Sequence, residues 1–243
     1  MPARRSSSAR LRFSLACVVG GVAASAVFAR TMFGGSFDPL VPEALGGVYD
    51  AQARSLFHGH WDVPKLAVTF ERFTVGGRYY TYFGPWPAIL RMPVLALTDA
   101  FDGRLSRLSM FLAFMVLVGF SGRIAWQARV AVRGDRPVGW RSFIAAAGFV
   151  FVVGCGSSAL FLASRAYVYH EAILWATAWT VASFSFVVAY LARGRGWSLV
   201  GACLTATLAM LSRPSVGLGP VIALALLLAV RVVQRVSDEY ARR

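Results

Sequence analysis

Apolar stretches of nearly bilayer length leave this chain few ways to fold. They lie at residues 11–33, 105–126, 143–163, 172–192, 198–211 and 216–233. A helix needs about 20 apolar residues to cross the hydrocarbon. Inside lipid every backbone N–H must find a carbonyl within its own segment, which a helix provides. The pattern predicts an all-α polytopic membrane protein with about six transmembrane helices, the fifth stretch being short for the task. Charged residues make up 15% of the chain, against about 25% in an average soluble domain, and point to the same class.

One long polar interval, residues 34–104, separates the first stretch from the second and carries most of the acids. The expected organisation is a basic tail at 1–10, a first transmembrane helix at 11–33 and an extracytoplasmic loop at 34–104. A five-helix transmembrane region at 105–236 and a short tail at 237–243 complete it. The N-terminal tail, Ser-rich and basic, is expected to be disordered. Arg4 to Arg12 followed by an apolar run and Val27-Phe28-Ala29 has the outline of a signal peptide. Five further apolar stretches favour an uncleaved signal-anchor.

The net charge of +14 is explained by its distribution. With a cytoplasmic N-terminus, the inner segments hold Arg4, Arg5, Arg10, Arg12, Arg123, Arg129, Arg133, Arg136, Arg141, Arg193, Arg195, Arg231, Arg235, Arg242 and Arg243. That is 15 basic residues against three acids, Asp135, Asp238 and Glu239, while the outer segments hold 10 basic residues and 8 acids. Basic residues collect on the cytoplasmic side of membrane proteins. The bias therefore predicts N-in and C-in, and it removes the need for a nucleic-acid partner. Cys17, Cys155 and Cys203 each lie within an apolar stretch without ligand spacing and read as small buried hydrophobes.

Within the loop, a helix is expected over 48–57, stopping near Gly59. Tyr49, Ala53 and Leu56 share one face of it, Asp50 and Arg54 another. The β-rich runs 69–75 and 78–83 flank Gly76-Gly77, a pair that tolerates positive φ and reads as a tight hairpin. Residues 88–98 are apolar but too few to span, with Arg91 and Pro93 inside, and are expected to form an interfacial or re-entrant helix. The loop is thus a small α/β unit.

Each residue that could carry chemistry also has a plainer reading. Asp50 is either a general base just outside the membrane or the exposed i,i+4 partner of Arg54. Arg165, His170 and Glu171 form either a polar cluster facing the loop or an interfacial belt with an acid suited to a helix N-terminus. Arg213, a cation on the side that the charge bias disfavours, is either a phosphate clamp or an arginine snorkelling to the interface. His58-Gly59-His60 with Asp62 lacks a firm third ligand, so no metal ligands are assigned, and any divalent-metal requirement stays open.

The segments Tyr49-Asp50-Ala51-Gln52-Ala53, Leu56-Phe57-His58-Gly59-His60-Trp61-Asp62-Val63-Pro64 and Gly77-Arg78-Tyr79-Tyr80-Thr81-Tyr82-Phe83-Gly84-Pro85 resemble the GT-C class of membrane glycosyltransferases. More narrowly, they resemble its bacterial members related to protein O-mannosyltransferases and aminoarabinose transferases. The likeness continues at Arg91-Met92-Pro93, Tyr169-His170-Glu171 and Ser212-Arg213-Pro214-Ser215. The resemblance implies transfer of a sugar from a polyprenyl-phosphate donor to an extracytoplasmic acceptor hydroxyl. The first outward loop of that class carries the catalytic acid, and the matching position is Asp50. A polyprenyl phosphate leaves without a general acid, so one base and cations for the leaving phosphate suffice. Arg165 and Arg213 are the candidate cations. Arg54, Glu71, Tyr79, Tyr82, His170 and Glu171 are candidates for other substrate contacts.

The class usually has eight or more spans. The departure leaves room for a shortened member, a split enzyme with a missing C-terminal half, or a non-catalytic scaffold or partner subunit of the same fold. A transporter is the remaining reading, disfavoured because no interior stretch has an ionisable residue near its midpoint. Lys65 is the only lysine, and this arginine bias fits a GC-rich bacterial genome and so a bacterial plasma membrane.

Overall fold

The computed structural model describes residues 2–34, 37–43, 45–68, 72–134 and 136–241. Among the described residues four helices are long and apolar enough to cross a membrane: α1 (Pro2–Phe33), α4 (Ser106–Arg133), α7 (Val168–Arg193) and α9 (Pro214–Ala241). Two shorter apolar helices, α5 (Trp140–Cys155) and α8 (Gly196–Ser212), lie among them. The outward faces of α1 and α9 carry exposed Leu11, Val18, Val22, Leu226 and Leu228. In water such a surface would be an aggregation liability; in lipid it is the ordinary exterior of a helix bundle. The protein is an all-α membrane protein with very little sheet.

Two expectations at the helix ends change. The described residues of the tail are helical, where irregular chain is expected: α1 begins at Pro2. Proline suits a first helical position, and Ala and Arg extend a helix readily. The apolar stretch at 143–163 is not one helix. α5 stops at Cys155, and a short helix α6 (Ser158–Leu162) follows. Ser157 sits in extended conformation between them, and its hydroxyl accepts the Ala159 N–H at 3.2 Å. An uninterrupted apolar run conceals this break because the capping serine adds little polarity.

Helix α1 packs mainly against α5, and α7 packs against α4 and α8. Phe28, Met110, Phe114, Val150, Leu174 and Trp175 form the bundle core, with Phe28 stacked on Phe114 at 4.0 Å between centroids. A second core belongs to the loop and the bundle together. Val48, Tyr49, Ala53, Phe83, Ala88 and Leu95 from the loop close over Leu105, Val168 and Ala172. The loop is therefore seated on the helix ends rather than held away from them.

The loop follows its sequence closely. Helix α2 is Val48–Phe57, followed by Gly59 at φ +74°. Strands β1 (Phe73–Val75) and β2 (Arg78–Tyr80) pair antiparallel in the register Phe73↔Tyr80, Thr74↔Tyr79 and Val75↔Arg78. Gly76 and Gly77 have φ +56° and +78°, the combination a two-residue hairpin with the right twist requires. Both strands are shorter than the β-rich runs, and the first part of the earlier run, residues 69–71, lies outside the described residues. Helix α3 (Trp86–Leu95) has 10 residues, far short of a span.

Candidate functional site

The acids and arginines of the loop become intelligible once their partners are traced. Arg91, on α3, makes four hydrogen bonds. Its Nη1 donates to Asp50 Oδ1 at 2.8 Å and to the Gly46 carbonyl at 3.0 Å. Its Nη2 donates to Glu171 Oε2 at 2.6 Å and to Ser106 Oγ at 2.9 Å. Asp50 comes from α2, Glu171 from the first turn of α7 and Ser106 from the first turn of α4. One guanidinium thus ties two loop helices to two helices of the bundle. The fork suits a planar group with five N–H donors, and a lysine could not reproduce it.

All three charged side chains are sealed, at 2% exposure for Arg91, 4% for Asp50 and 0% for Glu171. The second Asp50 oxygen is also engaged, accepting the Gly103 N–H at 2.5 Å. Among the described residues, Glu171 Oε1 and Arg91 Nε make no hydrogen bond of ordinary length. Burial alone lowers the Arg91 pKa, but Glu171 and Asp50 outweigh it and hold it above its ordinary value. The Arg91 guanidinium lies 5.4 Å from the centroid of the Tyr49 ring. Tyr49 is itself buried, with its hydroxyl 3.4 Å from the Val168 carbonyl. Burial, and then the charge of Glu171, push its phenol well above the usual range.

Arg54 does not pair with Asp50, as the i,i+4 spacing suggests. It turns away to Asp99 at 2.5 Å and Asp102 at 2.7 Å. Asp50 is correspondingly buried rather than exposed. Among the substrate-binding candidates Arg54 is thus already held by two carboxylates. A further pair, Glu43 with Arg107, joins the loop to the first turn of α4. Glu43 directly, and Asp50 through Arg91, tie the loop to the bundle, while Asp62, Asp99 and Asp102 pair within the loop.

Arg213 differs from these. It is half-buried at the junction of α8 and α9 and, among the described residues, has no carboxylate partner. Its guanidinium lies 5.8 Å from the Phe83 ring and 6.0 Å from the Tyr82 ring. The segment carrying those rings touches the end of α8. A Cβ on Gly84 would stand 2.0 Å from the Leu211 carbonyl oxygen, so only glycine fits the contact. Arg213 therefore sits on the loop side of the bundle, among aromatic faces, with no carboxylate against it among the described residues.

The other candidates are dispersed. Arg165 is exposed and donates to the Tyr167 hydroxyl at 2.7 Å. His170 Nδ1 lies 2.8 Å from the Arg165 carbonyl and 3.1 Å from that of Leu162. Glu171 points the other way, to Arg91. The expected Arg165–His170–Glu171 cluster does not form, because α7 starts at Val168 and its helical turn separates the last two side chains. No hydrogen bond or ring contact joins Arg165 to Arg213. Tyr79 faces Arg72 and Lys65, at 5.3 and 6.0 Å from its ring centroid. Tyr82 is half exposed beside Phe83. Glu71 lies outside the described residues. Among the described residues no group of three His, Cys, Asp or Glu side chains could hold a metal ion; His58 Nδ1 is 2.9 Å from the Arg54 carbonyl.

Arg91, the hub, has one physical signal in the sequence: a lone cation inside an apolar segment must find a partner or be expelled. Comparison with protein-family models, curated proteins and solved structures finds no match.

Proposed function

We propose that this chain is a plasma-membrane glycosyltransferase of six spans, N-in and C-in, taking a sugar from a polyprenyl-phosphate donor at its loop face. The observation that carries the reading is Arg213, a half-buried guanidinium without a carboxylate partner among the described residues, set between Phe83 and Tyr82 at a helix junction. A phosphate monoanion or diester suits such a guanidinium in two-pronged fashion, and aromatic faces suit a sugar or isoprenoid chain beside it. Counting α5 and α8 as spans is supported by the helix directions: α8 ends against the loop at Gly84, and α4 and α7 begin beneath the loop. Asp50 serves as base only in a state where its contact with Arg91 opens.

A non-catalytic scaffold or partner subunit of the same fold is the second reading. It is favoured by the closure of Asp50, whose two oxygens are both taken. Binding and transfer of a polyprenyl-phosphate sugar in detergent separate the two. Binding that is lost in Arg213→Ala, weak in Arg213→Lys, and accompanied by transfer that Asp50→Asn abolishes supports the enzyme. Binding without transfer supports the scaffold. No binding by the wild type across a broad donor panel sinks the enzyme and leaves the scaffold.

A further inference from the structure

The end of the bundle opposite the loop holds a cavity of about 740 Å³ between the last turns of α4 and the first turns of α5. Its charged lining among the described residues is Arg129, Arg133 and Arg141, with no described carboxylate beside them. Arg129 is committed to the turn between the helices, donating to the carbonyls of Gly134 and Arg136. Arg133 donates to Ser142 Oγ at 3.1 Å. Arg141 has no hydrogen bond or ion pair among the described residues and is exposed. A general preference for arginine on one side of the membrane explains the number of these residues. It does not explain their convergence on one cavity.

The cavity is graded along its depth. Arg133 and Arg141 stand at the last turn of α4 and the first turn of α5. Phe149 lines the same space about 12 Å further along α5, at about 1.5 Å per residue. Phe13, Ala125, Ala145 and Ala146 line the space too. Trp140, exposed and stacked on Phe143 at 5.6 Å, lies at the charged level, where tryptophan marks the boundary between headgroups and hydrocarbon. The volume is far larger than a phosphate needs.

We propose that this cavity binds one anionic phospholipid, its phosphate on Arg133 and Arg141 and an acyl chain along Ala145 and Phe149. Basic pockets between spanning helices recognise headgroups in this way. The proposal is independent of what the loop face does.

Native mass spectrometry of the full chain in neutral detergent tests it, with phosphatidylglycerol, phosphatidylcholine and inorganic phosphate as probes. Phosphatidylglycerol should bind and the other two should not. Arginine near a lipid surface contributes about a factor of five each, so Arg133→Gln with Arg141→Gln should weaken binding about 25-fold. Arg231→Gln with Arg235→Gln removes two charges from the same end elsewhere and should leave it within about twofold. Ala145→Trp, which fills the deep part without touching charge, should also weaken it. Equal losses in the two arginine pairs would mean diffuse attraction and overturn the site. So would wild-type affinity in a folded Ala145→Trp protein, equal binding of phosphatidylcholine, or displacement of the lipid by phosphate.

Discussion

Two arginines of the loop are built alike and placed differently. Arg91 is forked between Asp50 and Glu171, and Arg54 between Asp99 and Asp102. Distances do not separate them, since all four contacts are between 2.5 and 2.8 Å. Exposure does. The Arg54 side chain is 35% exposed and its partners 83% and 45%, against 2%, 4% and 0% for the buried set. At the surface, water competes for every charge and the pair contributes little. In the interior, each charge has given up its hydration and depends on the others. The same chemistry is a minor restraint in one place and a condition of folding in the other.

The largest expected effect follows from removing the buried hub. Arg91→Ala leaves two carboxylates sealed without a cation and should destabilise the detergent-solubilised protein by about 3–5 kcal/mol, read by thermal or denaturant unfolding. Replacing all three groups sharpens the point. A protein carrying Asp50→Leu, Arg91→Met and Glu171→Met has no charge to strand, and it should be more stable than Arg91→Ala alone. If the triple variant is the less stable, the stranded-charge account fails. Next in size is the loop's contact with the end of α8. Gly84→Ala puts a methyl group where the Leu211 carbonyl stands and should cost about 1–3 kcal/mol in the same unfolding measurement.

Arg54→Ala should cost less than about 1 kcal/mol, and the difference from wild type should shrink further in 1 M salt, where screening acts over about 3 Å. A salt-independent loss as large as that of Arg91→Ala would erase the contrast between the two forks. The smallest effect is one of pH. Tyr49 has a folded-state pKa raised well above its ordinary value by burial, then by Glu171. Its contribution is complete below the ordinary tyrosine value near 10 and is lost as pH rises beyond it, because the unfolded chain ionises first. Tyr49→Phe should flatten the fall of stability with pH in that alkaline range while changing neutral stability little.

Local features were legible and distant pairings were not. Helix α2 begins and ends where its pattern and Gly59 place it, and the hairpin turns at Gly76-Gly77, because those signals are read within a few residues of the chain. The partners of Arg91 lie 41 and 80 residues away, and no spacing rule reaches that far. The same limit explains Arg54. Asp50 is its neighbour along the helix, but Asp99 and Asp102, more than forty residues on, occupy it once the loop closes. Asp50 and Glu171 were recognised as unusual separately, one by its position outside the membrane and one by its charge at the start of an apolar run. That a single arginine answers both required the fold. Arg213 was legible for the opposite reason: a cation at odds with the charge bias stands out without knowledge of its surroundings.

The central claim is that Arg91 makes the loop and the bundle one structure. Hydrogen–deuterium exchange over residues 48–57 reads it directly in wild type, Arg91→Ala and Arg54→Ala. The account predicts that α2 amides lose protection by tenfold or more in Arg91→Ala, and keep wild-type protection in Arg54→Ala. Protection of α2 unchanged in a folded Arg91→Ala protein, or lost equally in both variants, would contradict it.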